Sequence, residues 1–152
     1  MKKFDNYSSN LRVLERADKE ILSNEFIISG IIDKFSIQFE LGWKLLKELL
    51  DYEGSRVSAT GSPRGIIKEA YAVYPFFDGE IWLEMLRARN DMAHIYNGNA
   101  AKELVGRILR VYIPEFKRLE KELRNTYGGK LESAEGAMVL EPGGEIELTG
   151  SF

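Results

Sequence analysis

The chain has no cysteine and a single histidine in 152 residues. The first absence excludes disulfides and thiolate metal sites, and nothing points to an oxidising compartment. The second leaves His94 as the only side chain that titrates near neutral pH without a large perturbation. One imidazole without thiolates also argues against a dedicated zinc site. No stretch approaches the roughly 20 apolar residues that cross a bilayer. The first residues, Met1-Lys2-Lys3-Phe4-Asp5-Asn6-Tyr7, lack the apolar core of a secretory signal, so the chain is expected in the cytoplasm. A strong basic excess is missing as well: residues 1–129 hold 20 positive and 19 negative charges, which argues against an avid duplex-DNA binder. A nucleotide or a short single strand needs only a local cluster and stays open.

What is present is an ordinary globular balance, 44% hydrophobic and 30% charged, in one domain's length. Phe4, Tyr7, Leu11, Leu14 and Ile21 form one apolar stripe and predict a first helix over about 3–21. Ile28, Ile32, Phe35, Phe39, Trp43, Leu46 and Leu50 predict a long second helix, capped by Ser23 or Asn24 and stopped at Gly54. Ser62-Pro63 opens a short third helix with Ile66, Ile67, Ala70 and Tyr71 inward, ending before Pro75. Asp78 caps a fourth, with Ile81, Trp82, Met85 and Leu86 inward. After the break at Asn97-Gly98-Asn99, with Asn99 as cap, a last helix runs to about Tyr127. Pro114 inside it is expected to kink or split it. Five apolar stripes and no strong strand pattern predict an all-α fold, an up-and-down four-helix bundle with an extra short helix.

The helical body is expected over residues 1–127 and an acidic tail over 128–152. From residue 130 onward one lysine faces five glutamates. Ala137–Glu141 and Glu145–Thr149 around Pro142-Gly143-Gly144 give a weak β-hairpin signal; a disordered acidic tail is the other reading.

The chemistry-bearing residues gather in Arg89-Asn90-Asp91-Met92-Ala93-His94-Ile95-Tyr96, predicted to lie along one helix. His94 is the natural proton carrier, Arg89 a planar fork for two phosphate oxygens, and Asn90 and Asp91 add a donor and an acceptor. Metal-independent RNA cleavage needs a base, a cation and an acid, so two protomers facing each other at these helices would supply what one lacks. On an ideal helix five residues turn the chain by about 140°, so Arg89 and His94 converge only where the helix loosens or ends. An arginine paired with a glutamate and a histidine capping its own helix is the competing structural reading.

Elsewhere the patterns read as scaffold. Glu48 with Asp51 and Glu120 with Glu122 suit solvated faces, and Trp43 and Trp82 suit core or dimer-interface anchors. Lys102, Arg107, Arg110, Lys117, Arg118, Lys121 and Arg124 make the last helix basic. The interleaved glutamates favour a solvated surface there over a docking site.

Several motifs in order resemble the nucleotidyltransferase substrate-binding proteins of the HEPN superfamily. They are Phe39-Glu40-Leu41-Gly42-Trp43-Lys44-Leu45-Leu46-Lys47 with Tyr52-Glu53-Gly54, then Ser62-Pro63-Arg64, then Asp78-Gly79-Glu80-Ile81-Trp82-Leu83-Glu84-Met85-Leu86 leading to Arg89-Asn90, His94 and Tyr96. The likeness covers about residues 1–125. It implies a homodimer, no cofactor, and a small separately encoded nucleotidyltransferase (MNT) partner for which the bundle supplies the nucleotide- or substrate-binding surface. In related toxin–antitoxin pairs the HEPN member is a metal-independent ribonuclease silenced by adenylation of the motif tyrosine. Carried over, Arg89 and His94 would be the catalytic pair and Tyr96 the acceptor. Asn90 matches the polar position after the arginine, and Arg64 joins the site by family pattern alone. Three expectations compete: a nucleotide- or substrate-binding subunit, a ribonuclease toxin, and a dimeric interaction module without chemistry.

Overall fold

A computed structural model describes residues 1–56, 61–95 and 97–131, and all regular structure among them is helical. The two expected tail strands and Tyr96 lie outside the described residues. Four long elements, with one short helix inserted, make the bundle.

Helix α1 (Lys2–Leu14) buries Phe4, Tyr7, Leu11 and Leu14 as the stripe requires. Beyond Leu14 the chain tightens into a 3₁₀ turn, Glu15–Lys19, and leaves helical geometry at Glu20. The tighter winding rotates the stripe: Ala17 takes the next inward position, and Ile21, expected in the core, is 71% exposed. Helix α2 (Glu25–Tyr52) starts where Asn24 Oδ1 accepts from the amides of Phe26 and Ile27. It ends where Gly54 takes φ +88°, a conformation that side-chain-bearing residues avoid.

Helix α3 (Pro63–Val73) is capped by Ser62 Oγ on the Gly65 amide, and α4 (Gly79–Asn90) by Asp78 Oδ1 on the Ile81 amide. Tyr71, expected inward on α3, is 67% exposed, because its ring lies along the bare backbone of Gly79 instead of entering the core. Helix α5 (Gly98–Arg107) is capped by Asn97, not Asn99: Asn97 Oδ1 accepts from the Asn99 amide at 2.8 Å.

As expected, the last helix is divided near Pro114, without ending there. A π turn, Ile108–Tyr112, precedes α6 (Ile113–Tyr127) and joins it to α5. Proline offers no N–H to the carbonyl four residues back, and its ring would press on that carbonyl. One widened turn ahead of it absorbs both problems.

Contacts along the rods fix their directions. On α1, Tyr7 hydroxyl donates to the Phe116 carbonyl, Glu15 pairs with Lys117 at 3.3 Å, and Arg124 lies over the Phe4 ring, so α1 and α6 are antiparallel. Phe35 stacks on Tyr112 at 5.1 Å while Glu53 accepts from Tyr127 at 2.6 Å, so α2 and α6 run parallel. Helix α4 climbs between them. Trp82, fully buried, sits at the centre with Phe39, Phe77 and Phe116 between 5.6 and 5.7 Å away. The buried Gln38 is fully employed, donating to the Tyr7 carbonyl and accepting from Asn10. Past Gly128, Leu131 is buried and its carbonyl accepts from the Met1 amino group, so the packed body reaches at least that residue. No described helix is long and apolar enough to cross a membrane.

Candidate functional site at the end of the fourth helix

Helix α4 stops inside the octapeptide, not after it. Asn90 is its last residue, Asp91 turns the chain, and Met92–His94 form a single 3₁₀ turn held by the His94 amide on the Asp91 carbonyl at 2.9 Å. The continuous helix expected through His94 is therefore broken between Arg89 and His94, which removes the fixed 140° divergence.

Arg89 remains on regular helix and is three-quarters covered. Its Nη1 pairs with Glu40 Oε2 on α2, its Nε donates to Asn90 Oδ1 at 3.2 Å, and the guanidinium carbon lies 5.4 Å from the Phe39 ring centroid. An acid, an amide and a ring face thus hold one cation in place. Lys44, one turn along α2, stands 3.6 Å from the other oxygen of Glu40 and 6.0 Å from the Trp43 ring centroid. Two cations therefore flank one carboxylate at the mouth of the motif. A guanidinium has five donors, so one carboxylate and one amide do not exhaust it.

Of the other described octapeptide residues, Met92 and Ile95 are half-buried and pack against the core. Asn90, Asp91 and His94 are all exposed, and the His94 imidazole makes no hydrogen bond to any described residue. It does not cap the carbonyls of α4. Tyr96 lies outside the described residues. Arg64 is exposed in the first turn of α3, whose neighbour Glu69 accepts from Ser55 Oγ beyond the end of α2. Glu40 lies twelve residues before Tyr52, or about 18 Å back along α2. Within one subunit the fold thus brings Arg89, Asn90 and Glu40 together, and no hydrogen bond or ion pair among the described residues links Arg64 to them.

The sequence reading gave Glu40 and Lys44 no role at the site. Their signal was the spacing Glu40–Lys44 inside the second-helix motif, a pair readable only once α4 is known to cross there. The other motif residues do structural work. Gly42 clears space for Trp82: a Cβ there would stand 2.5 Å from the indole Cη2. Glu53 accepts from Tyr127, whose hydroxyl shares a 2.7 Å hydrogen bond with Tyr74. Trp82 Nε1 donates to Glu115 Oε2, and Arg118 grips both Glu115 oxygens. Burial pushes the Glu115 carboxyl above its ordinary value, with Arg118 opposing.

The basic run of the last helix is largely spent in pairs. Lys117 meets Glu15, Arg118 meets Glu115, and Arg107 clasps Glu84 through two bonds of 2.6 and 2.8 Å. Tyr112 also donates to Glu84, so the Glu84 carboxyl is held below its usual value by hydrogen bonds from Arg107 and Tyr112. Among the described residues no three acidic or imidazole side chains gather as metal ligands would.

The fold is a helical bundle whose fourth helix ends in an anchored guanidinium, with an exposed imidazole four residues after the helix end. The family model described as nucleotidyltransferase substrate binding protein like matches residues 2–125, and the chain belongs to that family. No curated protein matches the sequence.

Proposed function

We propose that this chain is the nucleotide- or substrate-binding subunit of a separately encoded minimal nucleotidyltransferase, and that the end of α4 receives a phosphate. The family's own description supports the first half. The second rests on one observation: Arg89 is fixed by Glu40, Asn90 and Phe39 next to a second cation, Lys44, while His94 stands exposed just beyond the helix end. In this reading Arg89 and Lys44 supply charge and Asn90 and Asp91 polar contacts. Glu40 keeps the guanidinium placed until an anion shares it. Tyr96, two residues past His94, is the candidate acceptor of a nucleotidyl group, and two protomers would bring two such ends to one cleft.

Titrating the protein with a nucleoside triphosphate tests the reading. Hydrogen bonds to charged groups contribute about 1.5–3 kcal/mol, so Arg89→Ala is expected to weaken binding by roughly 10- to 100-fold. Equal affinity in wild type and variant would refute the site. With partner and ATP present, mass spectrometry is expected to find adenylate on Tyr96 and none in Tyr96→Phe.

The exposed, unengaged His94 also favours a second reading, a metal-independent ribonuclease with Arg89 and His94 as its pair. RNA incubated in EDTA would then yield cyclic-phosphate ends that vanish in His94→Ala. Intact RNA would dismiss it.

A further inference from the structure

We infer that the phosphate site at the end of α4 is self-inhibited: the Glu40 carboxylate stands on Arg89 as an internal anion, and a ligand phosphate binds by driving it off Arg89 onto Lys44. The inference rests on the site proposed above and adds how that site is kept closed and how it opens.

Three groups hold Arg89, and they differ in kind. The Phe39 ring, 5.4 Å from the guanidinium carbon, and Asn90 Oδ1, 3.2 Å from Nε, are neutral. They fix the side chain without cancelling its charge. Glu40 alone brings a full negative charge, and it sits on Nη1. A carboxylate and a phosphate both offer paired oxygens to a guanidinium, so they compete for the same donors. Arg89 is also three-quarters covered, which leaves little of it open to a second anion. A phosphate that joined Glu40 on the same guanidinium would bring like charges within a few ångströms, where they repel. Exchange avoids that repulsion.

Glu40 has somewhere to go. Lys44 follows it by one helical turn, and its Nζ lies 3.6 Å from the other carboxylate oxygen, so the carboxylate already meets a second cation. Glu40 is about one-third exposed and Lys44 more than half, so a rotation of Glu40 toward Lys44 displaces nothing from the core. The move leaves Arg89 on its two neutral anchors, still aimed and with its charge unmasked. Arg107 shows the opposite arrangement. Its partner Glu84 is tied through both oxygens by Arg107 and again by the Tyr112 hydroxyl at 2.6 Å, so that clasp has no exit. A carboxylate tethered on its own helix also competes at a high effective concentration. A free carboxylate or chloride ion offers no more charge than Glu40 and lacks the tether, so it does not open the pair. A polyphosphate chain brings more charge and more oxygens, and it does. The closed pair thus screens Arg89 from the small anions of the solvent.

Titration of the full chain with ATP provides the test. Glu40→Gln keeps the shape and removes the charge, and it is expected to bind ATP at least about tenfold tighter than wild type. A Glu40 that only positioned Arg89 would make the same variant bind more weakly, so the sign decides. Glu40→Ala leaves the carboxylate's place empty, and acetate from solution is expected to take it. At about 0.1 M, acetate should then weaken ATP binding to Glu40→Ala by about threefold or more beyond the same concentration of chloride, and should have no such effect on wild type. Arg89→Ala, run alongside, separates this inference from the reading it rests on. Where Arg89→Ala loses ATP affinity while Glu40→Gln matches wild type or binds more weakly, the phosphate site stands and self-inhibition falls. Where Arg89→Ala binds ATP as wild type does, the site itself falls and self-inhibition falls with it. Acetate that acts on Glu40→Ala no differently from chloride overturns the inference as well. Should Glu40→Gln fail to fold, Glu40→Ala with and without acetate decides alone.

Discussion

The two ends of α4 carry residues from the same family motifs and treat them in opposite ways. At the start, Asp78 caps, Gly79 lets Tyr71 lie alongside, and Trp82 is sealed in the core with its N–H on Glu115. The capping carboxylate and the indole N–H there both have internal partners. At the other end the helix unwinds after Asn90, and Asn90, Asp91 and His94 stand in solvent. Only Arg89 is held, and it is held by groups that place a cation without consuming all its donors. The difference teaches that motif membership does not by itself separate scaffold from chemistry. Spent valence is the better guide: the cap and the indole at the first end are engaged internally, and the second end has an exposed imidazole and part of a guanidinium to spare.

If the first end is scaffold, damage there should cost stability above all. Trp82→Ala would empty the middle of the aromatic cluster and remove the third hydrogen bond to the Glu115 carboxylate. A loss of about 3–5 kcal/mol is expected by urea denaturation, the largest effect in the molecule. Gly42→Ala attacks the same packing from α2. Its methyl would press on the Trp82 ring and stand 3.2 Å from Tyr7 Cε2, and neither fully buried ring has room to retreat. Alanine's helix propensity returns up to about 1 kcal/mol, so a net cost of about 1–2 kcal/mol is expected. A neutral Gly42→Ala would mean that Trp82 is looser than the contrast requires.

How legible each end was follows from the range of the forces that build it. Caps are local, so Asn24, Gly54, Ser62-Pro63 and Asp78 could be read from a few residues each. The four-rod plan was legible because α2's stripe persists over many turns. Ile21 and Tyr71 were misplaced because a 3₁₀ turn and a bare glycine backbone redirect side chains in ways periodicity does not encode. The end of α4 inside the octapeptide was invisible for a similar reason: no glycine or proline marks it, and the helix ends at Asn90. The Glu40–Arg89 pair joins helices far apart in sequence and needs the packed bundle to appear. The sequence thus drew attention to the end of α4, but not to the partners that hold Arg89 there.

A smaller effect probes the seam between the two ends, where Arg107 and Tyr112 hold Glu84. A carboxyl whose folded pKa lies below its unfolded one stabilises the fold above the unfolded value, and that contribution disappears as pH falls through the folded value. Glu84 is shifted in this direction from 4.5. The stability gap between wild type and Glu84→Gln is therefore expected to narrow as pH drops from about 5 to about 3. A gap of constant width would show that the clasp contributes through packing and not through charge.

The smallest expected change is also the sharpest test of the contrast. His94 touches no described polar group and lies on a single 3₁₀ turn in solvent, so His94→Ala removes a side chain with nothing to lose in the folded subunit. Thermal and urea unfolding are expected to move by no more than about 0.5 kcal/mol, as for surface positions in general. If the proposed site is right, the same substitution is expected to be felt where a phosphate is bound, because the exposed imidazole is gone while Arg89 keeps its anchors. A loss above about 1 kcal/mol in the isolated subunit would mean that the imidazole is engaged internally after all. The outer end of α4 would then be scaffold like the inner one, and Arg89's pairing with Glu40 would be a structural ion pair with no ligand to await.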